Sequence, residues 1–212
     1  VKKLSEGMLF DCNRPLLTSL VSKWGCDVID LGVEKDNYDN IKSKLNHASK
    51  ICDVLLTSGG ASAGKADFLS RMIKDEGKLY EWRIAVKPGR PLSLGLWNNM
   101  PIFGLPGNPV AAFVCSLIFF YPSMLLMGGA GWQEPLKFQV SSNFTKKKRS
   151  GRKEYLRAKI NSEGMVDVFK SEGSGRISGL SWSTGLVELP EESLEVNKGD
   201  NVNYIPYSNY GI

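Results

Sequence analysis

The spacing of hydrophobic residues changes at Gly128-Gly129-Ala130-Gly131, and this change most limits what the chain can fold into. Before it, short apolar runs alternate with helical segments, which is typical of a sheet covered by helices on both faces. After it, apolar and polar residues alternate singly, as in 155–160 and 186–189, which is typical of antiparallel strands. The sequence therefore predicts an α/β unit over 1–131 and an all-β unit over 135–212.

The first unit is predicted to be a three-layer αβα domain with a mostly parallel sheet, and the second a small β-barrel. Helices are predicted at 13–23, with Asn13 able to cap its start, at 38–50, at 66–75 and after Pro109. Strands are predicted at 26–31, 53–57, 82–86, 91–96 and 102–105. Binding sites in such sheets lie at the carboxyl ends of strands. The loops after these strands are therefore where we expect the functional residues.

Composition narrows the class of partner. The 212 residues carry 27 Lys and Arg against 22 Asp and Glu, a net charge of +5. Acidic residues are spread among the basic ones, which argues against nucleic acid and favours an anionic small molecule. Four separated cysteines and a single histidine argue against a soft-metal site and indicate a reducing, cytoplasmic compartment.

One segment, 110–127, is apolar enough to raise the question of a membrane span. It carries Pro122 and follows the polar turn Pro106-Gly107-Asn108-Pro109, so we interpret it as a buried helix behind a loop. The first residues lack the apolar core of a signal peptide. The sequence therefore predicts a protein that does not enter a membrane.

The loop Gly60-Ala61-Ser62-Ala63-Gly64 matches the G-x-S-x-G pattern of hydrolases, in which the serine needs a histidine base later in the chain. The only histidine, His47, precedes it, which argues against a serine nucleophile. Backbone N–H groups of a glycine turn, with the hydroxyls of Ser58 and Ser62, can instead hold an anion. A glycine turn that only joins strand to helix stays open as the alternative.

Two aspartates follow neighbouring predicted strands. Asp36 and Asp67 each stand where a helix begins, so each has capping as an ordinary explanation. Taken together at adjacent strand ends, they also form a plausible pair of Mg²⁺ ligands.

Three cations, Arg83, Lys87 and Arg90, lie within one predicted strand and its turn, with Arg83 and Lys87 expected on the same side. Such a group suits a phosphate or a tetrahedral oxyanion, although a solvated edge strand is the alternative. The run Lys146-Lys147-Lys148-Arg149 is interpreted as a solvated hairpin tip.

Several motifs in one order resemble the molybdopterin molybdenumtransferase family, MoeA in bacteria and the E domain of gephyrin in animals. They are Asp11-Cys12-Asn13-Arg14, Leu31-Gly32 with Asp36, the 57–64 loop with Asp67, Val86-Lys87-Pro88-Gly89-Arg90-Pro91, Leu105-Pro106-Gly107-Asn108-Pro109-Val110, Gly151-Arg152-Lys153-Glu154-Tyr155-Leu156-Arg157 and Gly173-Ser174 with Ile177-Ser178. The resemblance covers nearly the whole chain.

That resemblance implies insertion of molybdate into the dithiolene of adenylated molybdopterin, with Mg²⁺ and release of AMP. Asp36 and Asp67 match acidic residues that act in catalysis and bind metal, and Arg83 and Lys87 are expected to act with them. The expected substrate-binding residues are Ser58, Gly59, Gly60, Ser62, Gly64, Pro88, Gly89, Arg90, Pro106, Gly107, Asn108, Pro109, Arg152 and Ser178.

The chain departs from the family at Lys65, where glutamate is frequent, at Ala111, where serine is common, and at Arg83, where lysine is common. It also begins later than family members do, so a fragment is expected, with a homodimer for the full-length protein. Two alternatives stay open: a MogA-like adenylyltransferase, which shares the α/β domain but needs no β-barrel, and a scaffold or pterin-binding module without turnover.

Overall fold

The computed structural model of the chain describes residues 10–59, 68–89 and 91–212. The helices are α1 (Asn13–Lys23), α2 (Tyr38–Ile51), α3 (Phe68–Glu76), α4 (Pro109–Cys115), α5 (Tyr121–Met127) and α6 (Ser178–Trp182). The strands are β1 (Leu55–Ser58), β2 (Lys78–Arg83), β3 (Val86–Lys87), β4 (Pro91–Trp97), β5 (Met100–Leu105), β6 (Phe138–Ser141), β7 (Lys146–Lys148), β8 (Lys153–Ile160), β9 (Val166–Val168), β10 (Gly185–Leu189), β11 (Leu194–Val196) and β12 (Asn201–Pro206).

The first sheet has the strand order β1-β5-β4-β2. β1 and β5 are parallel, whereas β4 is antiparallel to both β5 and β2. The sheet described is therefore mixed, where the sequence predicts a mostly parallel one. The reason is the two-residue turn Asn98-Asn99, in which both residues have positive φ (48° and 67°), because such a turn joins antiparallel strands and leaves no room for a crossover.

Helices cover both faces of this sheet, as predicted. Leu55 and Ile102 pack on one side with residues of α2 and α3. Leu56 and Phe103, their neighbours in sequence, pack on the other side with α1 and the helix after Pro109. Side chains that alternate along a strand point to opposite faces, so this placement makes the three-layer αβα arrangement.

The predicted boundaries of α1 and α2 are confirmed to within a residue, with Gly25 at φ 84° just beyond the end of α1. The strand predicted at 26–31 is wrong: this segment forms no ladder, and Val28 and Ile29 are exposed. β1 is the edge of the described sheet, so no described strand pairs with 26–31. A hydrophobic run without a neighbouring strand stays irregular.

The second unit is a β-barrel. Its main sheet has the order β3-β8-β10-β12-β6, with β9 added on β8. A bridge between Ser142, just after β6, and Val166 in β9 joins the two ends and closes the ring. Leu156, Val187 and Tyr204 from three of its strands fill the interior. The prediction of a small barrel after the α/β domain is confirmed.

One long helical segment belongs to both units. Pro109–Met127 is long and apolar enough to cross a membrane, but more than half of it is buried inside the protein. Val110, Phe113 and Leu117 pack against Tyr155 and Tyr207 of the barrel. Its burial explains its composition, in agreement with the prediction of a buried helix.

The same segment runs through a π-helical turn at Ser116–Phe120. The turn ends two residues before Pro122, which has no N–H to give to the helix. A widened turn before a proline accommodates the missing hydrogen bond without ending the helix.

The backbone also crosses between the units. β3 precedes the predicted boundary at 131–135, yet it pairs in parallel with β8, aligning Val86 with Lys153 and Lys87 with Glu154. The amide of Lys153 donates to the carbonyl of Ala85 at 2.8 Å. The shared core and this ladder fasten the α/β unit to the barrel.

Replacing Leu117 by alanine should lower the free energy of unfolding by about 2–5 kcal/mol, because its fully buried side chain lies in the shared core. Urea unfolding followed by both fluorescence and circular dichroism should show one transition. Leu126→Ala, on the exposed end of the same segment, is the control and should change stability by less than about 0.5 kcal/mol. Two separate transitions would contradict a shared core.

Candidate functional site

The carboxyl ends of β1 and β5 meet the start of α1 at one side chain. The Asn13 amide nitrogen donates to Ser58 Oγ at 2.5 Å and to the Gly107 carbonyl at 2.7 Å. The amide of Gly59 donates to the Leu105 carbonyl at 3.1 Å. Asn13 is buried, so it fixes the two loops that follow these strands against each other.

These bonds also set the orientation of the Ser58 hydroxyl. Because Ser58 Oγ accepts from the Asn13 amide, its own hydrogen stays available to donate to a bound group. Ser58 is exposed, and the backbones of Gly59 and Gly107 approach closely beside it. This corner can therefore present a hydroxyl donor and accessible backbone to an anionic or polar ligand.

The sequence suggests that Asn13 caps α1, but its side chain does not do so in the structure. The cap is made by Asp11, whose Oδ1 accepts from the amides of Asn13 and Arg14, both at 3.1 Å. With the helix end satisfied by Asp11, the Asn13 side chain is left to bind across the strand ends.

The turn 87–89 lies between the two units. Lys87 ends β3, and the Lys87-Pro88 peptide is cis. Gly89 has φ 126° and packs so close to Cys115 that a Cβ at this position would overlap the Cys115 sulfur. Only glycine fits this position. The Lys87 side chain points toward the barrel, where it pairs with Glu154 and Glu172.

A pocket opens where this turn faces the barrel rim. It is lined by Lys87, Pro88, Val110, Tyr155, Leu156, Arg157, Phe169, Ser171 and Glu172. One wall is a loop, 171–177, that the buried Arg157 holds in place. Its guanidinium donates to the carbonyls of Arg176 at 2.6 Å, Gly173 at 3.3 Å and Ser171, and the Val110 amide donates to the Ser174 carbonyl at 3.0 Å.

Four charged side chains form a cluster beside this pocket, and two of them, Lys87 and Glu172, line it. Lys87 pairs with Glu172 at 2.7 Å and with Glu154 at 3.4 Å, and Lys146 pairs with both carboxylates from the other side. Burial lowers the pKa of Lys87, but the two carboxylates outweigh burial and hold that pKa above its ordinary value. Burial raises the pKa of Glu172, yet the two lysines hold it below its ordinary value. Both groups are therefore charged at neutral pH.

The lysine run near this cluster is not the solvated hairpin tip that the sequence suggests. Lys146–Lys148 form β7, which pairs with β11. Side chains alternate along the strand, so Lys147 is exposed while Lys146 and Lys148 point inward. Lys148 donates to the carbonyls of Arg149, Glu191 and Glu192.

The expectation that Arg83 and Lys87 lie on one side of a single strand is wrong. Arg83 ends β2 in the first sheet, whereas Lys87 belongs to β3, which pairs with the barrel. The two therefore do not share one side of a single strand, because the chain leaves the first sheet between them. Arg90 lies outside the described residues.

The other predicted site residues are placed as follows. Pro106 is buried, and Gly107 and Asn108 are exposed before α4 begins at Pro109. Arg152 and Ser178 are exposed on the barrel. Arg152 precedes Lys153, which pairs with β3, and Ser178 precedes Gly179, which packs against Arg157. Besides Arg90, four predicted residues lie outside the described ones: Gly60, Ser62, Gly64 and Asp67.

Of the two proposed metal ligands, Asp36 is among the described residues. Asp36 is exposed, and α2 is capped by Asn37, whose Oδ1 accepts from the Asn40 amide at 3.0 Å, so Asp36 is not needed as a cap. Its expected partner Asp67 is not among the described residues. Over 10–59, 68–89 and 91–212, no three His, Cys, Asp or Glu side chains gather into a metal site.

Sequence reasoning missed five residues that shape this region: Asn13, Lys146, Glu154, Arg157 and Glu172. Asn13 and Arg157 stand inside recognised motifs, so their motif membership was the available signal. The inward position of Lys146 could have been predicted, because alternate residues of a strand point to the same face. Nothing local marks Glu172, because its contacts come from chain segments 26 and 85 residues away.

An α/β unit fastened to a β-barrel is the architecture of one protein family, and both units of this chain match its models. Residues 2–125 match the family model described as "Probable molybdopterin binding domain", and residues 138–207 match "MoeA C-terminal region (domain IV)". The chain belongs to this family, and the resemblance stated from the sequence is confirmed.

Named relatives agree with this assignment. A molybdopterin molybdenumtransferase of Haemophilus influenzae is 34% identical over 98% of this chain and 52% of its own length. Gephyrin of Dictyostelium discoideum is 27% identical, with 95% of this chain and 33% of that protein covered. A solved MoeA protein from Pyrococcus horikoshii superposes with a TM-score of 0.78 at 26% identity, covering 95% of this chain and 48% of that one. The chain thus spans about half the length, or less, of these relatives.

Changing Asn13 to aspartate should destabilise the protein by about 1–3 kcal/mol, because a carboxylate cannot donate to the Gly107 carbonyl and leaves it facing another acceptor. The measurement is the urea midpoint at neutral pH. Ser19→Asp adds the same charge to the exposed face of α1 and should shift stability by less than about 0.5 kcal/mol. Equal stabilities for the two variants would show that Asn13 does not fasten the loops.

Proposed function

We propose that this chain supplies the substrate-binding part of a molybdopterin molybdenumtransferase, which inserts molybdate into adenylated molybdopterin and releases AMP. The observation that carries the proposal is that the loops at the α/β strand ends and the pocket at the barrel rim both adjoin the start of the helix after Pro109. Asn13 ties Ser58 to the Gly107 carbonyl. Val110, three residues after Gly107, lines the pocket together with Lys87.

Each part of this arrangement suits one part of the substrate. A hydroxyl donor beside closely packed glycines suits phosphate and pterin groups, which present hydrogen-bond acceptors. Lysine ammonium groups suit a tetrahedral oxyanion, because they place positive charge against it without a fixed geometry. The residues therefore bind and orient the two reactants next to each other, which is the main requirement for joining them.

The match of 138–207 to the MoeA C-terminal region favours this activity over a MogA-like adenylyltransferase, which needs no barrel. A scaffold role is the remaining alternative, and none of the contacts described above requires a peptide partner. The relatives' names point the same way, since the Haemophilus protein is named for the transferase activity.

We also propose Mg²⁺ as the accompanying cation, with Asp36 and Asp67 as ligands. The exposed carboxylate of Asp36, freed from capping by Asn37, supports this. Among the described residues only Asp36 fits, so we assign no step of the reaction to the metal. A cytoplasmic location agrees with four free cysteines, and a homodimer of the full-length protein is proposed on the family resemblance alone.

Molybdate- and Mg²⁺-dependent release of AMP from adenylated molybdopterin tests this proposal, measured on this chain and on the chain extended upstream. Replacing Lys87 by alanine in whichever form is active should slow AMP release by about 100-fold, because one oxyanion donor is lost. Lys198→Ala, an exposed lysine in a barrel turn, should leave the rate unchanged. Absence of both release and pterin binding in both chains would overturn the transferase assignment.

A further inference from the structure

The two lysines at the seam share the same two carboxylates. Lys87 comes from β3 and Lys146 from β7, on either side of the linker between the units. Glu154 bridges them through Oε1 to Lys87 at 3.4 Å and Oε2 to Lys146 at 3.2 Å. Glu172 bridges them as well, through Oε2 to Lys87 at 2.7 Å and Oε1 to Lys146. Each carboxylate therefore spans the gap between the two ammonium groups.

The two carboxylates differ in how they are held. Glu154 lies within β8, with its side chain 11% exposed, and its position is fixed by ladders to β3 and β10. Glu172 lies on a loop, with its side chain 47% exposed. Two neighbouring cations that are partly removed from water need anions close by, and Glu154 alone balances only one of them. The second charge is balanced by Glu172, which can leave without disturbing a strand.

The loop that carries Glu172 is anchored on both sides of it. Arg157 binds the carbonyls of Ser171 and Gly173, the residues immediately before and after Glu172. Rotation of the Glu172 side chain into solvent therefore uncovers the lysines while the loop backbone stays in place. The pocket that Lys87, Glu172 and Ser171 line lies beside this position.

We propose that Lys87 and Lys146 form a two-lysine oxyanion site, which Glu172 occupies in the free protein and which a tetrahedral dianion, molybdate in the reaction above, enters by displacing the Glu172 carboxylate. Two carboxylate oxygens that bridge two lysines stand in for two oxygens of the oxyanion. The identification of the anion as molybdate rests on the proposed function. It adds Lys146 as an anion ligand and Glu172 as an internal competitor.

Equilibrium dialysis of the 212-residue chain against molybdate, at constant ionic strength and with molybdenum counted by mass spectrometry, tests the site directly. Glu172→Gln should bind molybdate about tenfold more tightly, because the competing charge is gone. Lys146→Met should bind about tenfold more weakly. Lys147 and Glu195 form an exposed pair 3.4 Å apart on the neighbouring strands, so Lys147→Met and Glu195→Gln are matched controls that should bind as the unchanged chain does.

A purely structural ion pair predicts the opposite result for Glu172. In that case Glu172→Gln would lose stability without gaining affinity for molybdate, and this outcome would overturn the proposal. Unchanged binding by Lys146→Met, or no binding of molybdate by any form, would overturn it as well. Melting temperatures report whether each variant is folded, and Lys146→Arg, which keeps the charge, should retain binding. Molybdate binding that follows this pattern, with no AMP release by this chain or by the chain extended upstream, would count against the transferase assignment and leave the anion site standing.

Discussion

The helical segment Pro109–Met127 is the part of the molecule on which the rest depends. It packs on the first sheet through one face and on the barrel through another, so a single apolar core serves both units. Burial of apolar surface is the main stabilising term in such a fold, and sharing it makes each unit depend on the other. The polar turn 106–109 begins this helix, which is why the core also positions the candidate site.

The charges at the seam follow from the same packing. The β3–β8 ladder carries Lys87 to the barrel, where Lys146 and Glu154 are nearly buried. Charges in such a place cost free energy unless they are paired, so Lys87, Lys146, Glu154 and Glu172 form a balanced group of two cations and two anions. Glu172 is the exposed member of this group, so it is the one that the proposed oxyanion would replace.

Local patterns predicted what depends on local physics. The bounds of α1 and α2, the buried helix and the change to antiparallel strands were all readable from sequence. Contacts between distant segments were not readable from sequence. Segment 26–31 has the composition of a strand but no described neighbour. β3 pairs with the barrel instead of its expected sheet, and its partner residues lie 67 residues further along the chain. Asn13 was taken for a cap because a sequence shows the helix start but not Ser58 and Gly107 across from it.

In the proposed function, the strand ends of the α/β unit and the barrel rim line one ligand site. Hydrogen–deuterium exchange, measured on this chain with and without adenylated molybdopterin and molybdate, tests this arrangement most directly. A shared site predicts added protection in the 57–59 and 106–110 segments together with the 171–177 loop. Protection confined to one unit, or no change at the seam, would contradict it.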